Sequence, residues 1–444
     1  MIVARFFDKA VFLGNPAAER LYEAVRDLPI VDYHCHLDPA AIAADAPLED
    51  IGVLWLSGDH YKWRGMRMCG VDERFITGDA SPREKFLKYA EILPRLAGNP
   101  LYAWTHMELS RIFDIHEPLN EKSAARIYDA ANEKLRGMTV RRLMRSFGVA
   151  FVATTDDPAD DLRHHGVFDG MRVTPTFRPD KLYGLDEAYL QKLSAAAGTP
   201  IETLDDLLTV LDARLDHFTV HGCRMADHGF ETFPARYATK AEAYNIFAHR
   251  KTANGAEKEA FFGFLLTWLA AAYQKRRITM QLHFGVTRNI NPQTAGSIGP
   301  DSGFDTPADP VPTKSLIGFL QQLPDEKRPD ILLYPLNDNN LRALAAVTGA
   351  FRRVRMGAAW WFNDTADGIR RHIAVTAEYA ALGTSTGMLT DSRSFASYPR
   401  FDFYRRLLCS YLGNQVERGL YDESAAAALA YDVCYGNAAA MVGL

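Results

Sequence analysis

The chain has 444 residues, 48% hydrophobic and 24% charged, with a formal net charge of −5. That apolar content excludes a disordered polymer, and the length suits two domains or one large α/β barrel with insertions. No basic stripe marks a nucleic-acid partner, and the longest apolar run, residues 261–273, falls short of the ~18 residues that span a bilayer, so no membrane partner is expected.

Five cysteines (Cys35, Cys69, Cys223, Cys409 and Cys434) lie far apart without a CxxC pair, and the odd number leaves one unpaired in any disulfide scheme. A reducing cytoplasm is the expected compartment. The opening stretch, residues 1–16, lacks the basic patch and long apolar segment of a signal peptide, in keeping with that expectation.

The first β-rich run is PIVDYHCHL, residues 29–37. A strand's period of two sends His34 and His36 to one face and Cys35 to the other, which is the geometry of a chelating pair; the competing reading is two unrelated histidines at a strand end. More than 100 residues separate this run from the next, and residues 40–145 read as a mostly helical insertion. In SPREKFLKYAEILPRL, Ser81 and Glu84 have the spacing of a capping box, with Leu87, Ala90 and Leu93 on one face. The insertion also carries GDHYKWR, where His60 and Tyr61 are placed to move protons to and from a substrate; Tyr61 and Trp63 serve equally well as packing against the rest of the chain.

Seven further runs follow: residues 149–155, 171–177, 218–225, 278–284, 330–336, 354–362 and 387–392. Eight apolar runs alternating with helical patterns predict a parallel sheet of βα units closed into a (β/α)8 TIM-type barrel, residues 1–444 as a single catalytic domain. In such a barrel the chemistry sits at the C-terminal ends of the strands. Those ends bear Arg178 after the third run, Asp227 and His228 after the fourth, His283 on the fifth, Trp361 on the seventh, and Asp391 and Arg393 at the eighth. Three imidazoles, His34, His36 and His283, with the Asp391 carboxylate suit one divalent ion, zinc being the expected one. The fourth run offers no lysine and the sixth no histidine, so a second metal has no evident ligands. The Gly/Pro/Asp-rich stretch at 291–312 is expected to be a functional or mobile loop. GTSTG at 383–387 matches GxSxG but follows a helix and precedes a strand, the reverse of a nucleophile elbow, and is read as a loop.

The HxH pair, the fifth-run histidine and the eighth-run aspartate resemble the amidohydrolase superfamily. Longer stretches, WLSGDHYKWRGMRMCGV (55–71), TPTFRPDK (174–181), HGCRMADHGF (221–230), WWFND (360–364) and MLTDSRSFASYPRFDFYRRLLC (388–409), resemble the glucuronate, or uronate, isomerase family over nearly the whole chain. The resemblance implies a barrel of the metal-dependent hydrolase kind, one divalent metal, no nucleotide cofactor, and a small sugar-acid substrate. It implies interconversion of D-glucuronate with D-fructuronate, and of D-galacturonate with D-tagaturonate, by moving a proton between C2 and C1 through an enediol. That reaction needs a base near C2, a proton relay for the oxygens and positive charge to steady the enediolate. Asp391 is the expected base, His60 and Tyr61 the relay, and Arg393 and Arg178 the guanidinium partners of the C6 carboxylate, unless they form structural ion pairs. Asp227 and His228 are expected to orient metal ligands or sugar hydroxyls, and Trp361 to wall the sugar ring or to pack the core. The alternatives are a hydrolase or deaminase of a small carboxylated substrate on the same scaffold, in which a metal activates water, and a silent barrel that only binds a sugar acid. The sequence leaves open whether the chain forms a homo-oligomer and names no interface.

Overall fold

Most helices start where the sequence supplies a side-chain cap: Asn15 before Pro16–Val25, Ser81 with its reciprocal partner Glu84 before Pro82–Ile92, and Asn254 before Gly255–Arg276. The computed structural model describes Phe7 and residues 9–444; residues 1–6 and 8, part of the stretch read for a signal sequence, lie outside the described residues. Among the described residues no helix is long and apolar enough to cross a membrane.

The architecture is α/β. One sheet orders its strands β1 (Ile30–Asp32), β2 (Val149–Ala153), β4 (Met171–Thr174) and β3 (Gly166–Phe168). All its pairings are parallel except β3 with β4. A second, wholly parallel sheet runs β11 (Val354–Met356), β10 (Ile331–Pro335), β7 (Thr279–Phe284), β6 (Met225–Phe230) and β5 (Thr176–Phe177). A parallel bridge between Asp156 and Phe177 links the two sheets. On the outer side of β1, Asp391 N donates to His34 O at 3.2 Å and His36 N to Ser392 O at 2.9 Å, so the chain around Asp391 runs beside β1. The short antiparallel pair β8 (Val286–Thr287) and β9 (Thr306–Pro307) lies at the base of the 291–312 loop.

Several sequence expectations shift. Residues 218–220, expected to open the fourth strand, finish the helix Leu204–Val220, whose buried Leu207, Leu211, Leu215 and Phe218 keep helical spacing to the end. The strand is instead Met225–Phe230, MADHGF, disguised because buried Asp227 and His228, paired with distant partners, interrupt its apolar residues. The seventh strand stops at Met356, and Trp361–Asn363 is a single 3-10 turn. Residues 387–392 form no regular strand, and Gly387 and Asp391 within them have positive φ. Between β1 and β2 the helices Ile51–Leu56, His60–Met68, Pro82–Ile92, Pro100–Phe113 and Ala124–Leu135 occupy the expected helical stretch.

Two large apolar clusters hold these layers. One joins the helices between β1 and β2 to Pro16–Val25 and Pro399–Glu417; the other lies between β6, β7, β10 and their covering helices. A third collects Val31, Phe151, Met225, Leu332, Tyr334 and Leu389, side chains from β1, β2, β6, β10 and the Asp391 segment. Where Pro16–Val25 crosses Pro399–Glu417, Gly413 allows close approach: a Cβ there would stand 2.5 Å from Ala18 N and 2.7 Å from Ala18 Cβ. Gly413→Ala is therefore expected to cost about 1–3 kcal/mol in urea unfolding, as overpacking does, and an unchanged midpoint would contradict this contact.

Burial also fixes protonation in the core. It pushes the pKa of His372 down to about 4 and that of His228 to about 3. Both imidazoles stay neutral in the folded chain but titrate near 6.5 once unfolded, so protons favour unfolding below that value. Stability is full above pH 6.5 and is expected to fall on acidification toward pH 4 by up to about 1.4 kcal/mol per pH unit for each imidazole. Urea midpoints measured across that range would contradict the account if they were flat.

Candidate active site

Beyond β1 the chain bends at His34, and the side chains of His34 and His36 nevertheless converge on Asp391. Their Nε2 atoms each stand 3.3 Å from Asp391 Oδ1, and the two rings meet edge to face at 5.3 Å. One ligand atom from each of His34, His36 and Asp391 falls in a group no wider than 4.8 Å. His34 is fully buried, yet among the described residues neither of its ring nitrogens makes a well-formed hydrogen bond, the approach to Asp391 included. Such a group is costly unless something binds it, and two imidazoles with a carboxylate are a donor set for a divalent ion, so these residues fit a metal. Protonation agrees: burial lowers the His36 pKa to about 4, leaving a neutral imidazole of the form that can ligate a metal. Burial acts to raise the pKa of Asp391, but the two imidazoles outweigh it and hold the carboxyl well below its ordinary range.

Asp391 adopts the left-handed conformation, φ 47°, unusual for a residue with a side chain. The residue before it is clamped: the buried Asp32 carboxylate accepts from Thr390 N at 2.9 Å and from Thr390 Oγ1 at 2.6 Å. While Oδ1 faces the imidazoles, Oδ2 accepts a hydrogen bond from the Tyr61 hydroxyl at 3.3 Å. Burial and the Asp391 charge keep the Tyr61 pKa well above 10, so this phenol retains its proton.

A cavity of about 620 Å³ opens over the cluster, walled by His36, His60, Arg178, His283, Trp361, Asp391 and Arg393. His283, expected as a fourth ligand, lines the cavity but lies outside the three-residue group. Its Nδ1 is held 2.9 Å from Asp227 Oδ1, and its ring stacks at 5.0 Å on Trp360, which also touches the His34 ring at 4.3 Å. Gly229 is required beneath it, because a Cβ there would come within 2.1 Å of His283 Nε2. Asp227 sits behind the wall, fully buried, with Oδ2 2.9 Å from Arg178; burial opposes its charge, but Arg178 and His283 overcome that and keep it ionised. Arg178 also pairs with Asp180 at 3.1 Å.

Arg393 reaches Asp301 at 3.1 Å and donates to His60 Nδ1 at 3.3 Å, and burial lowers the pKa of His60. Trp361 stands on the cavity wall, edge-on to His60 at 5.8 Å and under the Arg288 guanidinium at 5.1 Å, and also packs against the third apolar cluster. His228 corrects the sequence reading. Its neighbour Asp227 points toward His283, so strand alternation turns His228 away, to within 2.5 Å of the Tyr183 hydroxyl and beside the Tyr273 ring at 5.6 Å. It does not line the cavity.

The structure adds residues that the sequence reading did not single out. Trp360, the neighbour of Trp361, contacts both the His34 and the His283 rings. Asp301, from the loop at 291–312, stands 3.2 Å from Arg288, which precedes that loop. That loop is docked on the helix His60–Met68, where Arg64 donates to Asp305 O at 2.8 Å and Arg67 lies 4.3 Å over Phe304. Loop length and composition were the only available signals, and they name no residue.

A family model described as glucuronate isomerase matches residues 3–442. The chain is 40% identical to the uronate isomerase of Halalkalibacterium halodurans, covering 98% of this chain and 97% of that one. It is also 40% identical to that of Marinomonas sp., covering 98% of each. The crystal structure of uronate isomerase from Thermotoga maritima superposes with a TM-score of 0.94 at 34% identity, covering 99% of this chain and 100% of that one. A Lactobacillus casei protein described as a metal-dependent hydrolase, 12% identical with a TM-score of 0.55 over 95% of this chain and 97% of that one, shares the fold alone. On this evidence the chain belongs to the glucuronate isomerase family.

Proposed function

We propose that this isomerase interconverts D-glucuronate and D-fructuronate, and D-galacturonate and D-tagaturonate, by proton transfer between C2 and C1 in the cavity above His34, His36 and Asp391. The observation that carries the reading is the division of Asp391: Oδ1 faces two imidazoles at 3.3 Å and Oδ2 meets the Tyr61 hydroxyl at 3.3 Å. An ionised carboxylate beside a protonated phenol is a base and an acid in one contact.

In this mechanism Asp391 takes the proton from C2 and returns it to C1. Tyr61 donates to a substrate oxygen as charge develops there, and His60, kept neutral by burial, carries protons between O1 and O2. Arg393 binds the C6 carboxylate. Its one carboxylate partner, Asp301, has a side chain 51% exposed and gives way to substrate more readily than the two partners that hold Arg178. Arg178 then adds positive charge to the cavity, and Trp361 walls the sugar ring. His34, His36 and Asp391 would hold a divalent ion, zinc being the expected one, which would supply positive charge to steady the enediolate, with His283 facing the same space. Asp227 orients His283 through its Nδ1 and holds Arg178 in place.

The same reading treats residues 1–444 as one closed (β/α)8 catalytic barrel, with residues 40–145 as an insertion that brings His60 and Tyr61 to the strand ends. Its support is the apolar cluster that gathers Val31, Phe151, Met225, Leu332 and Leu389 from well-separated strands and the Asp391 segment, as a barrel interior does. Five free cysteines support a cytoplasmic setting.

Two outcomes test this reading. Asp391→Asn is expected to lower kcat for D-glucuronate by about 10²–10⁴-fold or more while sugar-acid binding, followed by calorimetry, survives; undiminished turnover would remove Asp391 as the base. Equilibrium dialysis is expected to find one zinc per chain, weakened in His34→Asn by more than the ~10–100-fold that loss of an outer partner costs. Equal zinc affinity in the two proteins would contradict the ligand assignment.

A further inference from the structure

Behind the cavity lies a cation that the mechanism above does not use. Arg400, in the first turn of the helix Pro399–Glu417, is 1% exposed. Its Nη1 donates to Thr390 O at 2.9 Å. The guanidinium lies 3.9 Å from the Trp104 ring centroid and 5.3 Å from that of Tyr61. Neither Nε nor Nη2 has a hydrogen-bond partner among the described residues, and no carboxylate there is within ion-pair distance. Asp364, Asp59 and Glu108 are nevertheless close enough to favour its charge. A buried guanidinium without a bonded carboxylate adds little to stability, and apolar packing of the same volume commonly does better. Its position against the reacting groups suggests another purpose.

We propose that Arg400 is a positioning residue for the isomerisation, a single buried guanidinium that braces Tyr61 against Asp391. The inference rests on the roles given above to those two residues. Each of Arg400's contacts leads to one half of the Tyr61–Asp391 hydrogen bond. The cation under the Tyr61 ring fixes the plane of the phenol, with Trp104 as the shelf, edge-on to Tyr61 at 5.9 Å. The bond to Thr390 O fixes the peptide that leads into the left-handed Asp391, from the side opposite the Asp32 clamp on Thr390 N and Oγ1. Tyr61 comes from the segment between β1 and β2, and Asp391 from near the C-terminus, 330 residues away. A brace touching both keeps proton donor and acceptor in register when substrate enters.

The test is a double-mutant cycle on the full-length, zinc-loaded enzyme, using Arg400→Lys, Tyr61→Phe and the double variant, with D-glucuronate as substrate. Arg400→Lys keeps the charge but loses the planar face. It is expected to lower kcat by about 10–100-fold with KM within about 3-fold and zinc content unchanged, whereas in the Tyr61→Phe background the same change should cost less than about 3-fold. Wild-type kcat in Arg400→Lys overturns the proposal, and so does an equal loss in both backgrounds, which a general structural role would produce. If Arg400→Lys does not fold, Trp104→Phe decides. By shrinking the shelf it is expected to lower kcat by about 3–10-fold, with the loss vanishing in Tyr61→Phe; a loss that persists undiminished overturns the proposal. A wild-type enzyme that fails to isomerise D-glucuronate would overturn the underlying reading, and this proposal with it, whereas normal wild-type turnover beside full activity in Arg400→Lys overturns this proposal alone.

Discussion

The carboxylate of Asp391 is where the two ends of this chain become one site. Oδ1 stands 3.3 Å from both His34 and His36, and Oδ2 accepts from Tyr61 at 3.3 Å. In the proposed mechanism, three constraints follow from asking one buried carboxylate to share an ion with two imidazoles while meeting a phenol. The imidazoles must be neutral, which burial ensures for His36. The phenol must keep its proton, which burial and the adjacent charge ensure. The backbone at Asp391 must hold a left-handed turn, for which Thr390 is tied to Asp32.

The surroundings are organised by charge in a similar way. Asp227, fully buried, is shared between His283 and Arg178, so one carboxylate orients an imidazole and restrains a guanidinium facing the cavity. Trp360 contacts both the His34 and the His283 rings. On the opposite wall, Arg393, His60 and Asp301 connect the segment after Asp391, the helix His60–Met68 and the long loop. In the proposed binding mode a sugar acid would replace a carboxylate already present at Arg393, so charge balance in the cavity would be maintained.

Much of this was legible in the sequence because its signal was periodic or chemical. The strand period alone suggested that His34 and His36 act as a pair, and the Ser81–Glu84 capping box formed as its spacing predicts. What resisted was long-range. MADHGF does not look like a strand because its polar residues answer to partners distant in sequence, His283 for Asp227 and Tyr183 for His228. Nothing local said that these two neighbours face opposite ways until the strand was placed. Trp360 and Asp301 were invisible for the same reason: an aromatic contact and a loop carboxylate acquire their roles only from what surrounds them.

Anomalous diffraction at the zinc edge from crystals soaked with zinc and D-glucuronate addresses the central claim most directly. The account predicts a single strong peak bounded by His34, His36 and Asp391 Oδ1, with C2 of the sugar acid on the Tyr61 side within reach of Oδ2. A peak elsewhere, or C2 set against a different side chain, would contradict it.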